Sequence, residues 1–223
     1  MEQSCNVFFY TLADRCGIDT LAGWSARYGF GRPTGIELAP ESSGVLPGPE
    51  WKRRAMKKAW TSADTIGMGI GQGYLLVTAL QVAVMMAAVA NGGTRVTPRV
   101  VTRADDGGSG DDGAPAGEKI PISPATLDAV RRSLHEVVHG DHGTAAHSGL
   151  PALRAAGKTG TAQTGTNRPN HAWFAGYAPE EDPRVAFAIF VEYGGHGNEA
   201  AAPRAARILD GWLFADARKG EPR

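Results

Sequence analysis

With 223 residues, 42% of them hydrophobic and 21% charged, the chain suffices for one globular domain with its own core and is too short for two comfortable ones. Lysine plus arginine (23) balance aspartate plus glutamate (23), which excludes a net field drawing in nucleic acid or an anionic membrane surface and favours a small or peptide-like ligand. The longest apolar run, 79–90, is interrupted by Gln81 and falls short of the roughly 20 residues that cross a bilayer, and no charged-then-apolar leader opens the chain.

Residues 4–16 read as one helix that stops at Gly17, with a second short helix over 20–28 before the glycine-rich stretch YGFGRPTG. Cys5 and Cys16 lie on the first of these, about 16 Å apart in helical rise, so both are expected to be free thiols. Residues 31–74, rich in glycine and proline, read as an ordered loop region. Thr78 caps a predicted helix running to Ala90, stopped by Asn91, Gly92 and Gly93. Residues 96–102 have strand composition, and 104–117 form a low-complexity, flexible excursion.

Ser123 and Pro124 open a helix that carries Leu127, Val130, Leu134, Val137 and Val138 on one face and closes at Gly140. Three strands follow, over 154–164, 171–178 and 185–192, the last two joined by the turn PEEDP, and a helix over 200–214 ends the pattern. Helices first and a strand meander later predict an α+β layer fold with an antiparallel sheet.

Two short motifs carry chemistry together. Ser4-Cys5-Asn6 is an S-x-N at a helix start, and Lys158-Thr159-Gly160-Thr161 is a K-T-G on a predicted strand. With S-x-x-K they form the motif set of penicillin-binding proteins and class A β-lactamases. Either alone has a plain structural reading: Ser4 as an N-cap, Asn6 as a first-turn polar residue, Lys158 as a solvated strand lysine.

The text around the motifs is more specific. SCNVFFYTLADRCGID, YGFGRPTGIEL, SSGVLP, IGMGIGQGYLLVTALQVAVMMAAVANGG, RAAGKTGTAQ, HAWFAGYAP and GGHGNEAAAP resemble the elongation-type class B penicillin-binding proteins over nearly the whole chain. The resemblance implies a penicillin-binding/β-lactamase-like transpeptidase fold, with residues 1–223 as the C-terminal portion of that domain. It implies a peptidoglycan D,D-transpeptidase, an acyl-transfer enzyme without cofactor or metal, whose partners are D-Ala-D-Ala stem peptides, β-lactams and proteins of the cell-elongation machinery. By the same resemblance Ser4 relays a proton between two lysines and the leaving group, and Asn6 orients the substrate amide. Lys158 supplies positive charge, Thr159 and Thr161 hold the stem carboxylate from one side of the strand, Gly160 leaves room for a substrate backbone, and the Thr161 N–H is half of an oxyanion hole. The family acts at the extracytoplasmic face of the membrane through an N-terminal anchor expected to be absent here.

No serine in the chain is followed at the third place by lysine: Ser25 precedes ARY, Ser62 ADT, Ser133 LHE and Ser148 GLP. The nucleophile of the family is therefore expected upstream, and the chain alone is expected to be inactive. A non-catalytic penicillin-binding-like module is the alternative. A second is a zinc hydrolase built on His135-Glu136-Val137-Val138-His139, with Glu199 as the distant third ligand; the plain reading of that motif is a helix end whose histidines suit the dipole. The near-Walker sequence ending in Lys158-Thr159 has Ala152 where glycine is required, GMGIGQG lacks dinucleotide spacing, and GGSGDD is one copy of a repeat that works in tandem.

Overall fold

The computed structural model describes residues 1–100 and 117–213, which fall into two units: 6–122, and 1–5 together with 123–213. Among the described residues no helix is long and apolar enough to cross a membrane.

In the unit of residues 6–122, helix α1 (Asn6–Arg27) is interrupted at Gly17, whose φ of 71° and ψ of 165° are not helical, so the expected pair of short helices runs on from a single kink. Cys5 and Cys16 are free, as expected. The expected loop region of 31–74 instead contains two eight-residue helices, α2 (Pro49–Met56) and α3 (Ser62–Gly69). Their starts are local: Pro49 stands in the first turn of α2, and Thr61 and Asp64 form a reciprocal capping box for α3. The glycine and proline around them hid both helices from a reading by composition. The buried Lys52 of α2 joins Asp64 at 2.6 Å, tying one helix to the cap of the next. Helix α3 packs closely on α1, since a Cβ at Gly69 would fall 2.3 Å from that of Ala13.

Helix α4 (Ala79–Ala90) has the expected bounds, closed at its start by a Thr78–Gln81 capping box. A two-stranded antiparallel ladder of β1 (Thr94–Val96) and β2 (Gly117–Lys119) follows. The strand expected over 96–102 therefore lies earlier and is shorter; its last two positions, and all of the expected excursion except Gly117, lie outside the described residues.

The second unit is built on a three-stranded antiparallel meander, β3 (Ala156–Ala162), β4 (His171–Ala178) and β5 (Val185–Val191), in the order β3-β4-β5. Central β4 is buried over most of its length, as a strand paired on both edges and covered on both faces must be. On β5 the alternate residues Val185, Phe187, Ile189 and Val191 pack against the core. Helix α5 (Pro124–His139) starts at Ser123, whose Oγ accepts the Thr126 N–H at 3.1 Å. After a π-type turn over Gly197–Ala201, helix α6 (Ala202–Leu213) buries Ala202, Ala205, Ala206 and Leu209, one face at helical spacing. With Phe174, Leu150, Val137 and Val138 they form the core of this unit.

Gln81 tests the first unit. It is buried, its amide donates to the carbonyls of Arg32 (2.8 Å) and Ser43 (2.9 Å), and its Oε1 accepts the Thr78 N–H (2.9 Å). Gln81→Leu strands all three backbone groups, and urea denaturation should show a loss of about 3 kcal/mol; a change below about 0.5 kcal/mol would mean that water replaces them.

Candidate active site

Lys158 lies third along β3 and its ammonium reaches Ser4, to whose Oγ it donates a hydrogen bond. It also donates to the Thr159 carbonyl at 2.9 Å and lies 3.4 Å from Thr159 Oγ1. Burial lowers the proton affinity of this amine, to a pKa of about 8. Ser4 of the S-x-N motif and Lys158 of the K-T-G motif thus meet, across 154 positions of sequence.

Ser4 is not the cap of a helix. Helix α1 begins at Asn6, and Ser4 sits just before it in the left-handed region with φ 51°, a conformation that costs free energy for a residue with a Cβ. Glu2 holds the segment in place. Its carboxylate accepts the His142 N–H at 2.9 Å and its carbonyl accepts the Thr144 N–H at 3.3 Å. Thr144 in turn shares a 2.8 Å hydroxyl–hydroxyl contact with Thr159. Glu2 and Thr144 are parts of the site that no sequence motif signals, because their partners lie far away in sequence and are mostly backbone groups. Asn6 is the exposed first residue of α1 and belongs to the other unit.

The register of β3 on β4 pairs Thr159 with Phe174 and Thr161 with Ala172, while Lys158 faces Ala175 and Gly160 faces Trp173. The two threonines therefore share a side of the strand, and both are half-buried. Gly160 meets a constraint beyond the expected room for a ligand: a Cβ there would fall 3.1 Å from the Trp173 Cβ. On the same stretch of strand, a Cβ at Gly197 would come within 2.5 Å of the Gly160 carbonyl, so the glycine at 197 lets the turn at 197–201 press on the β3 backbone.

The H-E-x-x-H histidines are brought together on α5, but with Glu180 and not with Glu199. Glu199 lies in the turn of 197–201, whereas Glu180 directly follows β4 and the cis Ala178–Pro179 bond.

The penicillin binding protein transpeptidase domain matches residues 1–210. The chain belongs to this family. It is 37% identical over 98% of its length to the peptidoglycan D,D-transpeptidase MrdA of Acinetobacter baumannii, of which it spans 34%. A crystal structure of PBP2 from Pseudomonas aeruginosa matches 98% of the chain with a TM-score of 0.84 and 35% identity, the match taking in 48% of that protein. A complex between PBP2 and MreC of Helicobacter pylori matches 96% of the chain at a TM-score of 0.84 and 29% identity, over 39% of its chain. The fold is thus the α+β fold of penicillin-binding transpeptidases, and the chain spans about a third of the length of the curated relative it matches.

The electrostatics of Lys158 predict a pH signature. Its amine binds a proton less tightly folded than unfolded, so the unfolded state carries more protons between about pH 8 and the ordinary lysine value of 10.5. Stability withheld by the buried ammonium is missing below pH 8 and restored as pH rises through that window. Chemical denaturation at pH 7 and pH 10 should therefore show wild type gaining on Lys158→Met at the higher pH; an unchanged difference would contradict the burial effect.

Proposed function

We propose that this chain is part of a serine-type peptidoglycan D,D-transpeptidase and supplies the portion of its site that holds the stem peptide and moves the leaving-group proton. The contact between Lys158 and Ser4 carries this reading. When an acyl-D-Ala-D-Ala peptide bond breaks, the departing amine needs a proton. The Ser4 hydroxyl gives its own and is replenished from the Lys158 ammonium beside it, whose lowered pKa suits proton transfer near neutral pH. Thr159 and Thr161 bind the terminal carboxylate with the positive charge of Lys158 behind them, Asn6 orients the scissile amide, and the Thr161 N–H donates to the developing oxyanion. A β-lactam, which resembles the acyl-D-Ala-D-Ala end, enters the same place.

The covalent step needs an activated nucleophile, and the 223 residues contain no S-x-x-K serine. In this reading the 223-residue chain alone does not acylate. Its similarity to MrdA proteins supports a role in elongation at the extracytoplasmic face of the membrane, and the Helicobacter pylori complex with MreC supports elongation proteins as partners.

Labelling with a fluorescent penicillin tests the proposal. Ser4→Ala and Lys158→Ala, placed in the longer protein with its S-x-x-K serine, should each slow acylation by about 10²–10⁴-fold, the range for lost general acid–base catalysis, while the 223-residue chain alone stays unlabelled. Wild-type labelling rates in both variants would remove Ser4 and Lys158 from the mechanism.

A further inference from the structure

The geometry points to a second site, unrelated to acyl transfer: His135, His139 and Glu180 form a binding site for a single zinc-type divalent cation that staples the end of α5 to the β4–β5 connection. One ligand atom from each of the three residues lies within 4.8 Å of the other two. His135 Nδ1 is 2.8 Å from Glu180 Oε2, and His139 Nε2 is 3.6 Å from Glu180 Oε1. The same His139 nitrogen is 3.0 Å from the Ala155 carbonyl oxygen, just before β3. Two imidazole nitrogens, a carboxylate and a carbonyl oxygen therefore converge, which is a nitrogen and oxygen donor set that zinc accepts at about 2.0–2.2 Å. Hydrogen bonds now join His135 to Glu180 and His139 to Ala155, and a metal ion takes the place of their protons after small side-chain adjustments.

The donors are held before any ion arrives. His135 and His139, four residues apart on α5, stack with ring centroids 4.4 Å apart and planes at 12°. The Glu180 N–H donates to the Arg154 carbonyl at 2.7 Å, and the neighbouring Glu181 pairs with Arg154 at 2.5 Å, which fixes the turn carrying the carboxylate. The His139 and Glu180 side chains are each 19% exposed and that of His135 is 42% exposed, so the cluster is sheltered on one side and open to water on the other. An ion can enter there, and the two imidazoles, the carboxylate and the Ala155 carbonyl fill a tetrahedral shell. With Ala155 and Glu180 beside it, the bound ion links α5, the start of β3 and the turn after β4, so its role is structural.

Titration of the full chain with zinc chloride, followed by calorimetry and thermal melting, tests the site. One equivalent should bind and raise Tm by a few degrees. The zinc X-ray absorption edge should show nitrogen and oxygen neighbours only, with no sulfur near 2.3 Å from Cys5 or Cys16. His135→Ala and the near-isosteric Glu180→Gln should each weaken binding by at least about tenfold and abolish the Tm shift, with His147→Ala as an unaffected control. Absence of saturable binding, a sulfur ligand, or unchanged affinity in Glu180→Gln would overturn the assignment, and the last remains decisive if His135→Ala fails to fold.

Discussion

An ammonium group partly withdrawn from water beside a serine hydroxyl sets the terms for the unit of residues 1–5 and 123–213. Burying a charge is unfavourable unless polar groups replace its hydration. Lys158 finds these in Ser4 Oγ, the Thr159 carbonyl and, more distantly, Thr159 Oγ1. Each replacement must itself be held. Ser4 needs a left-handed backbone, which the hydrogen bonds of Glu2 to the loop after α5 hold in place, and Thr159 is braced by Thr144. A strained residue, a carboxylate and a second-row threonine are thus consequences of one buried cation, which keeps the amine poised to exchange protons.

Much of the scaffold was legible from local chemistry. Thr78, and Ser123 with Pro124, marked helix starts because capping needs only neighbours three or four residues away. The composition of 171–178 announced a strand with the observed bounds. Helices α2 and α3 were not legible: eight residues give scarcely two turns of periodicity, and their surroundings carry loop composition. The H-E-x-x-H spacing correctly put His135 and His139 on one helix, yet their carboxylate neighbour, 45 residues from His135, depends on how the sheet turns back.

The site shows the same division. The K-T-G strand could be read directly, but its pairing with Ser4 was reachable only through family resemblance, since nothing local links residues 154 positions apart. Glycine at 160 was expected for the sake of a ligand. Trp173, its partner on β4, crowds the same position, so a packing constraint and a binding constraint fall on one residue. Bulk added there presses on Trp173 whether or not a substrate is present.

The junction of residues 1–5 with the unit of 123–213 has a consequence for the order of folding. The Glu2–His142 and Ser4–Lys158 contacts close loops of 140 and 154 residues. Closing a flexible loop of that size opposes formation by about 4–5 kcal/mol in chain entropy, against the small free energy of a few hydrogen bonds. The meander β3-β4-β5, whose pairings are short-range, can form well before this clasp. Residues 6–122 must become compact before the first five residues dwell near β3, so the Ser4–Lys158 contact is among the last features of the molecule to assemble and, on partial unfolding, among the first to open.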